Sequence, residues 1–127
     1  MAEVHFGSIN INGGVALGDK HQVMSLIKRL KLRIVLLQET HSSLNSHADW
    51  RQLLKGQLFF RDKDSMTAGI ALFLHPALQT TSVVFTEVMQ GYLATLSFVL
   101  NSSRFILVNV YAPSKSNERN NLFLHLT

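Results

Sequence analysis

The 127-residue chain has no cysteine, two prolines, one tryptophan and only 16% charged residues. Without cysteine there is no disulfide scaffold and no thiolate metal site. No apolar run approaches the ~20 residues needed to span a membrane as a helix. The opening Met1-Ala2-Glu3-Val4-His5 lacks a basic stretch followed by an apolar one, so no signal peptide is visible. Disorder is excluded by an apolar share of 46%. No repeat, linker or low-complexity tract interrupts the pattern. The composition suits one globular domain able to bury on the order of two-thirds of its unfolded surface. Twelve Lys and Arg against eight Asp and Glu give +4. That balance permits a polyanionic partner without requiring one.

Short strands and helices alternate along the chain. Val4–Ile11 reads as a strand broken by Asn12-Gly13-Gly14. From Asp19 to Leu30, Val23, Leu26, Ile27 and Leu30 fall at helical spacing on one face. Ile34–Leu37 is a continuous apolar run, the pattern of a strand buried on both faces. Ser46 is placed to cap a second helix over His47–Lys55, with Trp50, Leu53 and Leu54 facing the core and Gly56 ending it. Strands are expected at Leu58–Arg61, Gly69–His75 and Ser82–Phe85. In Tyr92–Leu100, Tyr92, Ala94, Leu96, Phe98 and Leu100 share one face. Asn101-Ser102-Ser103 connects that strand as a hairpin to Arg104–Tyr111. Ser116 caps a last helix carrying Leu122, Phe123 and Leu126. Helices between early strands, followed by an antiparallel run, give an α/β or α+β layered domain.

Three strands deliver polar groups at their carboxyl ends: Asn10 and Asn12, Gln38-Glu39-Thr40, and Asn109 with Tyr111. Ligands of α/β proteins collect at such ends. Glu39 is the strongest candidate. A carboxylate past a buried strand is poor core material but a good ligand for a hard cation. Alternation puts Asn10 and Asn12 on the same side, where amides orient a carboxylate or donate to phosphate. Tyr111 can donate its hydroxyl to a phosphate, and Asn109 shares its face.

Taken singly, each signal has a plainer reading. Glu39 is also an ordinary exposed residue after a strand. Asn12-Gly13 is a turn former, and Tyr111 a strand-end core residue with a wet hydroxyl. The basic run Lys28-Arg29-Leu30-Lys31-Leu32-Arg33 is a solvated helix face, or a nucleic-acid contact through Lys28, Arg29 and Lys31. His5, His21, His41, His47, His75 and His125 show no zinc-ligand pairing.

The order of the segments is more specific than any one of them. Ser8-Ile9-Asn10-Ile11-Asn12-Gly13, then a helix, then Ile34-Val35-Leu36-Leu37-Gln38-Glu39-Thr40-His41, resembles the opening of the endonuclease/exonuclease/phosphatase superfamily. Ala68-Gly69-Ile70-Ala71-Leu72-Phe73 and Leu107-Val108-Asn109-Val110-Tyr111-Ala112-Pro113 resemble two later segments of the same superfamily. The flavour is closest to the apurinic-type endonuclease domain of LINE-like non-LTR retrotransposons.

The resemblance implies a four-layered α/β sandwich, of which this chain supplies the N-terminal part as one mixed, mostly antiparallel sheet with flanking helices. It implies a hydrolase cutting DNA with Mg²⁺ or Mn²⁺, in the nucleus and without a membrane. Glu39 matches the metal-binding glutamate and Asn10 the active-site asparagine of the first strand. Tyr111 matches the tyrosine that contacts the scissile phosphate. Asn12 falls where many members carry aspartate, so it offers the ion an amide and no second carboxylate. The family's Gly-Asp-x-Asn and Ser-Asp-His segments do not occur among these residues, and Asp62 and Asp64 cannot replace them. Residues 1–127 are thus expected to form a partial domain with an incomplete catalytic set, weak or inactive alone. An unpaired sheet face is expected to favour self-association. Three other readings stay open: a non-catalytic nucleic-acid-binding module, a non-functional retroelement fragment, and a small-molecule or lipid phosphatase of the same superfamily.

Overall fold

The computed structural model describes residues 3–13, 17–63, 67–113 and 115–126, and of Leu17 and His125 the backbone alone. Gly14 of the expected turn and Asp64 lie outside the described residues. The order is β1 (His5–Asn10), α1 (Leu17–Leu30), β2 (Leu32–Gln38), α2 (Leu44–Leu53), β3 (Gln57–Arg61), β4 (Ile70–Leu74), β5 (Thr81–Met89), β6 (Leu93–Leu100), β7 (Ser103–Val110) and α3 (Ser116–Leu126).

The α/β class and the partial-sandwich reading agree with this architecture, but the strands divide into two sheets where one was expected. The first sheet runs β1-β2-β4-β3 and the second β5-β6-β7. β1 and β2 are parallel, joined by the crossover helix α1, and the other pairings are antiparallel. The division follows from side-chain burial. β2 points Val35 and Leu37 at the helices and Ile34 at the second sheet, so its continuous apolar run fills two interfaces. On the helix side, Val23 and Ile27 of α1 and Trp50 of α2 pack on Val35, Leu37, Ala71 and Phe73. On the other side, Ile34, Leu72 and Leu74 meet Leu96, Phe98 and Leu100. The first sheet therefore has its partner, supplied by β5–β7.

Apolar exposure appears elsewhere. Ile106 and Val108 of β7 lie open to solvent at 64% and 47%. Between β1 and β7 an apolar cleft of about 560 Å³ opens among Phe6, Ile34, Phe98, Phe105 and Leu107.

Three local expectations change. α1 begins two residues earlier, at Leu17, and its buried face is Lys20, Val23 and Ile27, while Leu30 is exposed. The Lys20 ammonium lies 5.6 Å from the Trp50 ring centroid, a cation–π distance. α2 starts at Leu44 with Ser43 as its cap. Ser46 serves that cap from inside the helix, its hydroxyl accepting from the Ser43 N–H at 2.8 Å. Leu122 is the buried residue of α3, packed with Ala68, Tyr92 and Leu93, whereas Phe123 and Leu126 are exposed. The alternation read in Tyr92–Leu100 holds: all five residues of that face are buried. Asn101 and Ser102 form the expected hairpin turn, both with positive φ, as a two-residue turn of the hairpin twist requires.

Candidate active site

The carboxyl ends of β1, β2 and β3 form one rim, because Asn10 pairs with Gln38, and Gln38 and Arg61 both pair with Ile70. Beyond the ladder the chain stays stitched to it. The Ile11 N–H donates to the Gln38 carbonyl at 3.0 Å and the Gly13 N–H to the Glu39 carbonyl at 2.7 Å. The Thr40 and His41 N–H groups donate to the carbonyls of Gly69 and Ala68. Gly69 is required here. Its φ is +90°, and a Cβ on it would lie 2.4 Å from the Thr40 hydroxyl oxygen.

Asn12, Glu39 and His41 also have positive φ, at 47°, 54° and 48°. Such backbone is uncommon for residues other than glycine and clusters at functional sites. The turn of Glu39 keeps its carboxylate at the rim while its neighbours Thr40 and Ser42 are buried. Asn10 and Asn12 do not share a strand face as expected. β1 ends at Asn10, and the Asn10 side-chain oxygen accepts the Asn12 N–H at 3.0 Å, turning the chain.

The second sheet brings Tyr111 to this rim. Its hydroxyl donates to Glu39 Oε1 at 2.5 Å, joining two residues 72 positions apart. This bond, with partial burial and the nearby carboxylate charge, pushes the Tyr111 phenol up to about 12. The hydroxyl therefore stays protonated across the neutral range. Tyr92 stacks on Tyr111 with ring centroids 5.9 Å apart, and its hydroxyl donates to Glu118 at 3.4 Å. The Lys63 ammonium sits 5.5 Å over the Tyr92 ring. Lys63, Tyr92 and Glu118 were not anticipated as neighbours of Tyr111; Tyr92 read only as a core-face residue.

Asn109 is not a rim group. It is fully buried beneath the rim, bonded to the first sheet. Asp62 pairs with His47 at 2.8 Å, and the His47 ring stacks on Phe60 at 4.0 Å. Lys28, Arg29 and Lys31 lie at the opposite end of the first sheet, about 20 Å from Glu39 along a strand rising ~3.3 Å per residue.

Among the described residues, no three His, Asp or Glu side chains cluster as a metal-ligand group. The donors that are present are hard oxygens: the Glu39 carboxylate, with the amides of Asn10 and Asn12 at the adjoining end of β1. This set fits a cation such as Mg²⁺, which keeps several waters and takes one or two carboxylates plus substrate phosphate.

No family model matches the chain. It is 28% identical over 120 residues to an uncharacterized 149 kDa protein of transposon TX1 from Xenopus laevis, covering 94% of this chain and 9% of that protein. Among solved structures, an AP endonuclease from Archaeoglobus fulgidus matches with a TM-score of 0.68 at 17% identity, over 98% of this chain and 49% of that one. A humanized TDP2 from D. rerio matches with a TM-score of 0.71 at 15% identity, over 94% and 52%. The chain thus spans about half of these structures and under a tenth of the transposon protein. No helix among the described residues is long and apolar enough to cross a membrane. The backbone of the chain thus matches about half of the endonuclease/exonuclease/phosphatase fold that these AP endonucleases and TDP2 proteins share.

Proposed function

We propose that residues 1–127 are part of a domain that hydrolyses phosphodiesters in DNA with a bound divalent cation, and that the chain descends from a retroelement. The observation that carries this reading is the contact between Glu39 and Tyr111 at a shared strand-end rim. Glu39 would hold Mg²⁺ or Mn²⁺, with Asn10 and Asn12 beside it. When bound, such an ion neutralises charge on a phosphate oxygen and favours ionisation of water. Tyr111 remains a protonated donor, able to hand its hydroxyl from Glu39 to a phosphate oxygen as substrate enters. Lys63 adds a cation near the same rim, and Lys28, Arg29 and Lys31, at the other end of the first sheet, would contact DNA phosphates away from the rim. The transposon protein's similarity along 94% of the chain supports the descent. With DNA as the proposed substrate, the nucleus is the proposed site of action. The exposed Ile106 and Val108 favour self-association.

With Glu39 the single carboxylate assigned to the ion, catalysis by these residues alone is expected to be weak, because groups acting chiefly in the transition state are too few. The test is plasmid nicking in Mg²⁺ by the chain and its Glu39→Ala variant, with Mn²⁺ affinity measured by electron paramagnetic resonance. The variant should lose roughly tenfold or more in both readouts, the scale of a disturbed metal site. Equal Mn²⁺ affinity and equal nicking in the two proteins would overturn the proposal.

A further inference from the structure

Asn109 is a fully buried amide on the sheet face that also carries Leu107 and packs inward. Burying an amide is costly unless its hydrogen bonds are replaced. Here they are replaced by one set of partners. Its Nδ2 donates to the Leu37 carbonyl at 3.1 Å and to the Ala71 carbonyl at 2.8 Å. Its Oδ1 accepts from Gln38 Nε2 at 2.9 Å, and the same Gln38 nitrogen donates to the Ser8 hydroxyl at 2.9 Å. All these partners belong to the first sheet. Leu37 and Gln38 immediately precede Glu39, and Asn109 stands two residues before Tyr111.

Other directed links between the sheets lie at their margins, with the Tyr111 hydroxyl on Glu39, the Gly69 N–H on the Gly91 carbonyl at 3.0 Å and Arg61 over the Phe85 ring at 4.5 Å, and the contacts between them are apolar. Ile34, Leu72 and Leu74 against Leu96, Phe98 and Leu100 hold the layers together without fixing their relative slide. A hydrogen bond tolerates only a few tenths of an ångström. A leucine at 109 would serve burial, but it would not register one sheet on the other.

We propose that Asn109, working with Gln38, is a positioning residue that registers the end of β7 on the ends of β1 and β2, and so brings the Tyr111 hydroxyl to the Glu39 carboxylate. It acts through the backbone beneath the rim and touches neither an ion nor a substrate. Its functional meaning rests on the roles proposed for Glu39 and Tyr111. The contact itself can be read without metal or DNA.

The chain has two tyrosines, so ¹³C labelling at the tyrosine Cζ gives two resonances, which Tyr111→Phe assigns. Glu39→Ala supplies the Tyr111 shift with its acceptor removed. In Asn109→Leu, the Tyr111 resonance should move more than half of the way to that reference. Leu96→Ala, a cavity in the same sheet interface, should lower thermal stability while leaving the resonance in place. An unmoved Tyr111 signal in folded Asn109→Leu would overturn the proposal, as would an equal movement in Leu96→Ala. Should Asn109→Leu not fold, Gln38→Leu keeps both bonds from Asn109 to the carbonyls and should move the signal less, in the same direction; no movement there overturns it too. Loss of nicking with an unmoved Tyr111 signal counts against this inference, and an intact contact without nicking counts against the proposed activity alone.

Discussion

The two sheets are supported unequally. In the first, β4 is buried along all five of its residues, between helices on one side and the second sheet on the other. In the second, β7 leaves Ser103–Ile106 exposed, and its outward residues meet solvent. Glu39 thus stands at the end of a strand held from both faces, and Tyr111 at the end of an edge strand held from one. The rim joins a rigid half to a looser one, which is why directed bonds such as those of Asn109 matter more than area there.

The comparison can be broken first at its strongest point. Leu72→Ala removes a fully buried side chain of β4 and should cost about 2–5 kcal/mol in urea unfolding. Ile106→Thr on β7 should stay within about 0.5 kcal/mol, since that side chain is mostly exposed. Comparable losses from the two would show that the outer face of the second sheet is covered in solution. An intermediate effect is expected where the first sheet meets the loop below the rim. Gly69→Ala forces a Cβ into the Thr40 hydroxyl at a φ that favours glycine, and should cost about 1–3 kcal/mol in the same assay. An unchanged midpoint would mean that the Glu39–Ser42 loop gives way freely.

A smaller effect than that of Gly69→Ala sharpens the comparison at the contact between the halves. Tyr111→Phe removes the bond to Glu39 and should cost about 0.5–1.5 kcal/mol near neutral pH. Its pH dependence has a definite sign. The folded phenol is raised to about 12 from an ordinary 10, so its contribution is complete below about pH 10 and is lost as pH rises toward 12. Stability measured across that window should fall more steeply for the wild type than for Tyr111→Phe. Parallel curves would show that the phenol is not held.

Much of this was legible in the residues. The alternation in Tyr92–Leu100 and the unbroken Ile34–Leu37 run predict burial correctly, because period and polarity fix which way side chains face. They do not fix what lies opposite, so the partition into two sheets was not visible. The same limit explains Asn109. Period-two spacing placed it beside Tyr111 at the rim, yet β7 ends at Val110 and Tyr111 leaves the strand, so the two side chains part. Glu39 and Asn10 stood out as polar groups at strand ends. Glu118 and Lys63 carry no local signal, since only the packing of distant segments brings them to Tyr92. The early start of α2 was hidden by two serines, both able to cap.

The span of the Glu39–Tyr111 contact has a kinetic consequence. Its partners are 72 positions apart, in a chain whose β1, β2 and β4 can pair among themselves first. Contacts of such sequence separation are slow to form, because a long loop must close before they are rewarded. Any intermediate with only the first sheet assembled holds Glu39 without its tyrosine. The candidate site therefore matures with the final docking step, and its appearance would time the completion of folding.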